Sequence, residues 1–127
     1  EGVEGEKRKR TCMRKFHRVR GRRRIFIKSL VSSLVAKEKI ETTVARAKEV
    51  RPVVERLTTL AKKGDIASLR LLKARVPAAA AEKLFYEIAP RYKNRNGGYL
   101  RIIKEAKTRK RDGTSLAIVE FVKFSAR

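Results

Sequence analysis

The sequence predicts an α+β fold, in which about four helices pack on one face of a small sheet. Two changes of pattern along the chain indicate this. From about Arg22 to Pro90, apolar residues recur at three- and four-residue spacing, and after Pro90 they alternate residue by residue. Residues 1–21 show no apolar period and are rich in basic side chains. We therefore predict a basic N-terminal arm over residues 1–21 and a single α+β domain over residues 22–127.

The first two helices are predicted from their apolar stripes. The first begins near Arg22 and carries Ile27, Leu30, Val31, Leu34 and Val35. A short β-prone segment, residues 39–43, follows as a strand, and Thr43 at its end can cap the second helix. That helix presents Ala47, Val50, Val54, Leu57 and Ala61 on one face. Pro52 lies inside it, so we expect a kink and not two separate helices.

The third and fourth helices are delimited by residues that begin or end helices. Gly64 ends the second helix, and Asp65 is a natural N-cap for a third that carries Ile66, Leu69 and Leu72. Pro77 begins a fourth helix, which Pro90 ends. Its inward residues are Ala81, Leu84, Phe85 and Ile88.

The C-terminal part predicts a hairpin. Residues 99–104 and 116–124 alternate as strands, and residues 107–114 form the basic loop between them, with a turn at Asp112 and Gly113. We see no internal repeat and no second domain.

Charge is the strongest functional signal. The chain has 35 Lys and Arg against 13 Asp and Glu, for a net charge of +22, and no acidic residue occurs from Lys7 to Lys37. A single-sign stretch of this length needs a polyanion to neutralise it, and a nucleic-acid backbone is the best match. An alternative for the arm alone is a disordered solubilising tail.

Chemistry-bearing residues are scarce. One cysteine, Cys12, and one histidine, His17, give no disulfide framework, no nucleophile–base pair and no metal cluster. We therefore predict no enzymatic activity, no cofactor and no metal. No apolar run is long enough for a membrane span, and no signal peptide is evident.

Five basic regions are candidate contacts for RNA. In the arm, arginines offer planar forks for phosphate, and Phe16 and His17 could stack on unpaired bases. The arm contributes Arg8, Arg10, Arg14, Lys15, Phe16, His17, Arg18 and Arg20. The start of the first helix contributes Arg22, Arg23, Arg24 and Lys28, and the start of the second contributes Thr43, Arg46 and Lys48.

The other two regions are a glycine-containing loop and the hairpin tip. In the loop, paired glycines allow close approach to a partner, although the segment could equally be a plain helix-to-strand turn with Tyr92 and Tyr99 in the core. It contributes Arg91, Lys93, Asn94, Arg95, Asn96, Gly97, Gly98, Tyr99 and Arg101. The tip contributes Arg109, Lys110 and Arg111.

Several local motifs resemble one family over most of the chain. They are residues 40–43 with 46–49 and Arg51, residues 57–62, residues 83–85, residues 90–92, residues 96–99 with Arg101, and residues 117–120. The arm shows a looser pattern of spaced basic residues at Arg8, Arg10, Arg14 and Arg18, with Phe16 where an aliphatic residue is usual. Together they resemble the bacterial and organellar large-subunit ribosomal protein L17 family. Arg22-Arg23, residues 112–116 and the residues before Lys7 depart from the family pattern.

The resemblance implies a structural protein of the large ribosomal subunit, with helices on a small mixed sheet, that binds rRNA near the exit of the peptide tunnel. It implies two kinds of partner, large-subunit rRNA and one or two neighbouring large-subunit proteins. We expect neither membrane association nor a homo-oligomer. The location would be a ribosome in a bacterial cytoplasm, a plastid or a mitochondrion, and the non-Met start favours a processed organellar protein.

Three other interpretations remain open from the residues. The first alternative is a DNA-binding architectural protein, which is also basic and helical. A cationic membrane-active protein is disfavoured because the most basic stretch is not amphipathic. A phosphoryl-transfer enzyme lacks any phosphate-binding loop spacing.

Overall fold

A computed structural model of the chain describes residues 14–123, and it confirms the α+β class. The elements run in the order α1 (Arg20–Lys37), β1 (Lys39–Thr43), α2 (Val44–Lys62), α3 (Ile66–Arg75), α4 (Ala78–Lys83), β2 (Leu100–Thr108) and β3 (Ser115–Phe121). A π-helical turn (Leu84–Ile88) and a 3-10 turn (Ala89–Tyr92) follow α4 directly.

The sheet is antiparallel throughout, so the mixed sheet implied by the family resemblance is wrong in that detail. Its strand order is β1-β3-β2. β3 occupies the centre and runs opposite to both neighbours, with Lys39 facing Glu120 on one side and Leu100 facing Phe121 on the other. β1 and β2 point the same way, but they are not adjacent and form no parallel pair.

Strand lengths differ from the prediction in opposite directions. β2 extends to Thr108, past the predicted end at Lys104, and an irregularity between these two residues shifts its register against β3. β3 ends at Phe121, and Phe124, the predicted last strand residue, lies outside the described residues. The hairpin extends the basic tip away from the body of the sheet.

Helix ends follow the predicted signals closely. α1 begins at Arg20, two residues before the predicted start. The Thr43 side chain accepts a 3.3 Å hydrogen bond from the Arg46 amide at the start of α2, and α2 continues through Pro52 as one helix. Gly64 has φ 73°, the left-handed conformation that ends a helix without a Cβ penalty. Asp65 occupies the N-cap position of α3 but makes no side-chain capping bond.

The predicted end of the fourth helix at Pro90 is wrong. The α-helix stops at Lys83, and the chain then widens into the π turn and tightens into the 3-10 turn, which ends at Tyr92. Pro90 is tolerated because it lies in the first positions of the 3-10 turn, where a missing N–H removes no helical hydrogen bond.

The core is built from the predicted aliphatic stripes and from two tyrosines. Val31, Leu34 and Val35 of α1 are fully buried, as are Val50 and Val54 of α2. Tyr92 and Tyr99 are each 1% exposed, and their ring centroids lie 5.2 Å apart. Both tyrosine rings are enclosed. For Tyr92 and Tyr99, the structure therefore supports the interpretation in which the tyrosines of the glycine-containing segment belong to the core.

Polar bonds at the tyrosine pair attach the following loop to the core. The Tyr92 hydroxyl donates to the Val122 carbonyl. The Lys62 ammonium donates to the Tyr99 hydroxyl at 2.8 Å and to the Arg95 carbonyl. The two bonds from Lys62 hold the loop of residues 93–98 against the end of α2.

Replacing one buried residue of α1 is expected to destabilise the domain far more than replacing an exposed one. Leu34 is 0% exposed, so Leu34→Ala leaves a cavity and should lower the free energy of unfolding by about 2–5 kcal/mol. Ile25 on the same helix is 69% exposed, so Ile25→Ala should stay within about 0.5 kcal/mol. Urea denaturation of both variants measures the difference, and equal losses would contradict the assigned core face of α1.

Candidate nucleic-acid interface

The first two turns of α1 carry positive charge that no carboxylate in the described chain compensates. They precede Ile27, the first buried residue of the helix. Arg20, Arg22 and Arg24 in these turns are exposed, and so is Lys28 in the following turn. α1 contains no acidic residue, and none of its cations takes part in an ion pair among residues 14–123. Cations at a helix N-terminus also oppose the helix dipole, so an external anion would stabilise this arrangement.

The end of the predicted arm folds onto the beginning of α1 and α2. Phe16 and His17 have φ 49° and 54°, so the chain makes a left-handed turn there. The Phe16 ring meets the Phe26 ring edge-on at 5.5 Å. Arg14 donates to the Glu49 carboxylate at 3.0 Å. Residues 14–18 thus have definite contacts without RNA, whereas Arg8 and Arg10 lie outside the described residues.

Phe26 brings two arginines together. The Arg18 guanidinium carbon lies 4.0 Å from the centroid of its ring, and that of Arg46 lies 5.0 Å away. Each such cation–π contact is worth about 0.5–1 kcal/mol near a surface. Arg18 also donates to the Phe16 carbonyl at 2.9 Å. The arm, α1 and the start of α2 therefore present one continuous basic surface, which we call the Phe26 cluster (Phe16, Arg18, Phe26, Arg46).

The predicted site residues of the glycine-containing segment divide into exposed and buried sets. Lys93, Asn94 and Asn96 are exposed, and Gly98 has φ 63°, a conformation that favours glycine. Arg95 is partly buried and donates to the Gly97 carbonyl at 3.0 Å. The exposed set lies on the outer side of the loop.

Tyr99 and Thr43 are corrections to the predicted contact set. Tyr99 has no free ring face for a base, because it is enclosed against Tyr92. Thr43 is 7% exposed, and its hydroxyl is engaged as the α2 cap. Both residues are buried beneath the basic surface and support it.

Carboxylates already neutralise four of the predicted contacts, and the first of them is Arg14, which pairs with Glu49 as described above. Arg101 pairs with Glu120, and Arg91 pairs with Glu38 at 3.0 Å. At the hairpin tip, Arg109 pairs with Asp112 through both carboxylate oxygens, which holds the pKa of Asp112 well below its ordinary range. Lys110 and Arg111 at the tip and Lys48 on α2 are exposed, without an ion pair among residues 14–123.

The basic regions assemble into two groups. Thr43 pairs with Leu116 beside the hairpin, so the start of α2 and the Phe26 cluster lie towards the same end of the sheet as the tip. The loop at residues 93–98 leads into the opposite end of β2, roughly 25 Å away along that strand. The tip and the glycine-containing loop are therefore separate surfaces.

Arg56 and Arg75 are missing from the predicted contact set. Arg56 lines one shallow groove with Gly97 and Gly98 and a second groove with Lys28 and Arg75. It therefore connects the exposed start of α1 with the glycine-containing loop. The sequence shows Arg56 only as part of a mixed-charge helix face, and nothing in the sequence places Arg75 beside α1.

Two kinds of feature are absent from residues 14–123. No helix there is both long and apolar enough to cross a bilayer. Among the same residues, no three His, Cys, Asp or Glu side chains group together as metal ligands.

A basic α+β domain with an uncompensated cationic helix has the charge distribution that is typical of polyanion-binding proteins. Comparison with known proteins narrows this class to one family. The family model for ribosomal protein L17 matches residues 26–122. The chain belongs to the ribosomal protein L17 family. This family is a structural, non-enzymatic component of the ribosome, so the predicted family and the predicted lack of enzymatic activity are confirmed.

Curated relatives agree with the family match over most of the chain. The large ribosomal subunit protein bL17 of Persephonella marina is 50% identical over 91% of this chain and 94% of the relative. That of Hydrogenobaculum sp. is 48% identical over 91% and 98%. That of Staphylococcus aureus (strain JH9) is 46% identical over 86% and 98%.

We expect the Glu38–Arg91 ion pair to give a pH-dependent contribution to stability. The hydrogen bond from Arg91 lowers the pKa of Glu38 below its ordinary value of 4.5, because it favours the charged carboxylate in the folded state. Its contribution should be complete above about pH 5 and should disappear as the pH falls through the lowered pKa of the folded state. Urea denaturation of the native chain and Glu38→Gln from pH 3 to 7 measures it.

The two proteins should differ in stability by a constant amount at neutral pH and converge in acid. Lys73→Ala serves as a control, because it removes an exposed ion pair with Glu82 elsewhere on the surface. A difference between the native chain and Glu38→Gln that persists unchanged at pH 3 would refute the assigned pairing.

Proposed function

We propose that this chain is a structural constituent of the large ribosomal subunit that binds rRNA mainly through backbone phosphates near the exit of the peptide tunnel. One observation carries the rRNA contact. Every cation of α1 lacks an acidic partner among residues 14–123, whereas several arginines elsewhere on the domain have one. The bL17 relatives are large ribosomal subunit proteins, which supports the ribosomal location.

The proposed mechanism is neutralisation of phosphate charge by a preformed surface. Lys and Arg release condensed counterions when they contact phosphates, so affinity falls steeply with salt. A-form RNA has a major groove too deep and narrow for side chains to read, and recognition is then mainly of backbone shape. The Phe26 cluster supports this mode because it holds Arg18 and Arg46 in place before RNA arrives.

The partners we propose are large-subunit rRNA and one or two neighbouring large-subunit proteins, with no homo-oligomer. The site of action is the ribosome, in a bacterial cytoplasm or in an organelle. Ile66 and Leu71 of α3 and Tyr86 of the π turn are available for contacts with proteins, because their apolar side chains are exposed.

Removing two arginines from the start of α1 should reduce both rRNA affinity and its salt dependence. Arg22→Ala combined with Arg24→Ala leaves the buried stripe of α1 intact. The slope of log affinity against log salt should become shallower by about 0.7–0.9 for each phosphate that is no longer neutralised. Filter binding of large-subunit rRNA across a range of salt concentrations measures the slope.

A matched pair controls for total charge. Lys63→Ala with Arg70→Ala also removes two exposed cations. Lys63 lies at the end of α2, and Arg70 lies on α3. If this pair changed the slope as much as the Arg22 and Arg24 pair, affinity would follow net charge alone and α1 would have no special role.

Fractionation of a cell lysate on a sucrose gradient tests the function itself. The chain should sediment with the large subunit at low and physiological salt. Recovery of the chain as a free monomer at physiological salt, or with chromosomal DNA, would contradict the proposal and favour the DNA-binding alternative.

A further inference from the structure

A small groove opens where α1, α2 and the end of α3 meet, and its floor is aliphatic. Its volume is about 140 Å³. Pockets that enclose drug-sized molecules have volumes of about 300–1,000 Å³, so this groove is on the scale of a single ring system. The floor is lined by Ile27, Val31, Val53, Leu57 and Val76.

Three cations stand at the rim of this groove, one from each helix. Lys28 comes from α1, Arg56 from α2 and Arg75 from α3. All three are exposed, and none takes part in an ion pair among residues 14–123. Folding therefore collects three positive charges around an apolar slot, although like charges repel. An anionic group in the bound partner would relieve that repulsion.

We propose that this groove receives one unstacked base of the large-subunit rRNA, an inference that rests on the proposed function. Unpaired bases in RNA are commonly splayed out and stacked on planar side chains, and a guanidinium is such a plane. Arg56 and Arg75 provide two such planes, the aliphatic floor takes the apolar ring, and Lys28 neutralises the adjoining phosphate.

Charge and chemistry argue against two other occupants. The first alternative occupant is the N-terminal arm of this chain, but its residues 7–10 are all basic and would add positive charge to the rim. A carboxylate side chain of a protein would satisfy the cations but would make no use of the aliphatic floor. A nucleotide supplies both an apolar ring and a phosphate.

The neighbouring groove provides a path for the rest of the RNA strand. Arg56 lines both grooves, and the second one is bordered by Gly97 and Gly98. Because a glycine has no side chain, a backbone can approach the loop closely there. The strand that carries the inserted base would continue over this loop.

Chemical probing of base accessibility tests the inference with purified chain bound to bacterial large-subunit rRNA. Val53→Phe fills the groove with a larger side chain and leaves all three cations in place. Arg75→Gln removes one cationic plane from the exposed rim without changing the core. Arg70→Gln, at another exposed position of α3 that does not line the groove, is the matched control.

The native chain should protect one unpaired base, and Val53→Phe and Arg75→Gln should both abolish that protection. Val53→Phe should also weaken binding about five- to hundredfold, the usual value of one stacked base, with an unchanged salt slope because every phosphate remains neutralised. Arg70→Gln should retain the protection. If Val53→Phe fails to fold, the comparison of base protection between Arg75→Gln and Arg70→Gln still tests the inference.

Two contrary outcomes are distinguishable. If the native chain binds rRNA and all variants give the same base protections, the groove holds no base and this inference is wrong, while the proposed function stands. If the native chain does not bind rRNA, the proposed function fails and the inference fails with it.

Discussion

The packing of α1 against α2, α4 and β1 is the interaction on which the rest of the molecule depends. Val31, Leu34 and Val35 bury the second half of α1, and this burial holds a helix whose first half is rich in cations and has no acid. Such a start is unfavourable for an isolated helix, because the charges repel one another and oppose the helix dipole. The aliphatic contacts compensate for this cost, so the exposed turns remain helical and ready for a polyanion.

The distribution of ion pairs separates structural cations from those available to a partner. Arg91, Arg101 and Arg109 have carboxylate partners within the domain, so a phosphate would have to compete with them. The α1 cations have no such competitor among residues 14–123. The cations behind the net charge of +22 are therefore not equally available to a binding partner. Some cations link surface elements of the domain, and in the proposed function the unpaired cations of α1 attract RNA.

The periodic parts of the fold were predictable because each follows from local chemistry. The stripe of α1, the Thr43 cap and the left-handed Gly64 depend on residues a few positions apart, and all three are confirmed. The predictions fail where contacts between residues far apart in the chain determine the structure. The helix around Pro90 continues as π and 3-10 turns, and Leu84, Ile88 and Tyr92 of these turns are all buried in the core. The strand order β1-β3-β2 depends on a pairing between segments far apart in the chain.

The sequence by itself determined the class of fold, the family and the polyanionic nature of the partner, since helical periodicity, local motifs and net charge are all properties of the linear chain. Only the tertiary structure decided which basic residues are available. It buried Tyr99 and Thr43, paired Arg101 with Glu120, and placed Arg56 and Arg75 beside Lys28. The physical reason is that burial and charge pairing depend on neighbours in space, and packing of three helices brings together side chains that the linear order keeps apart.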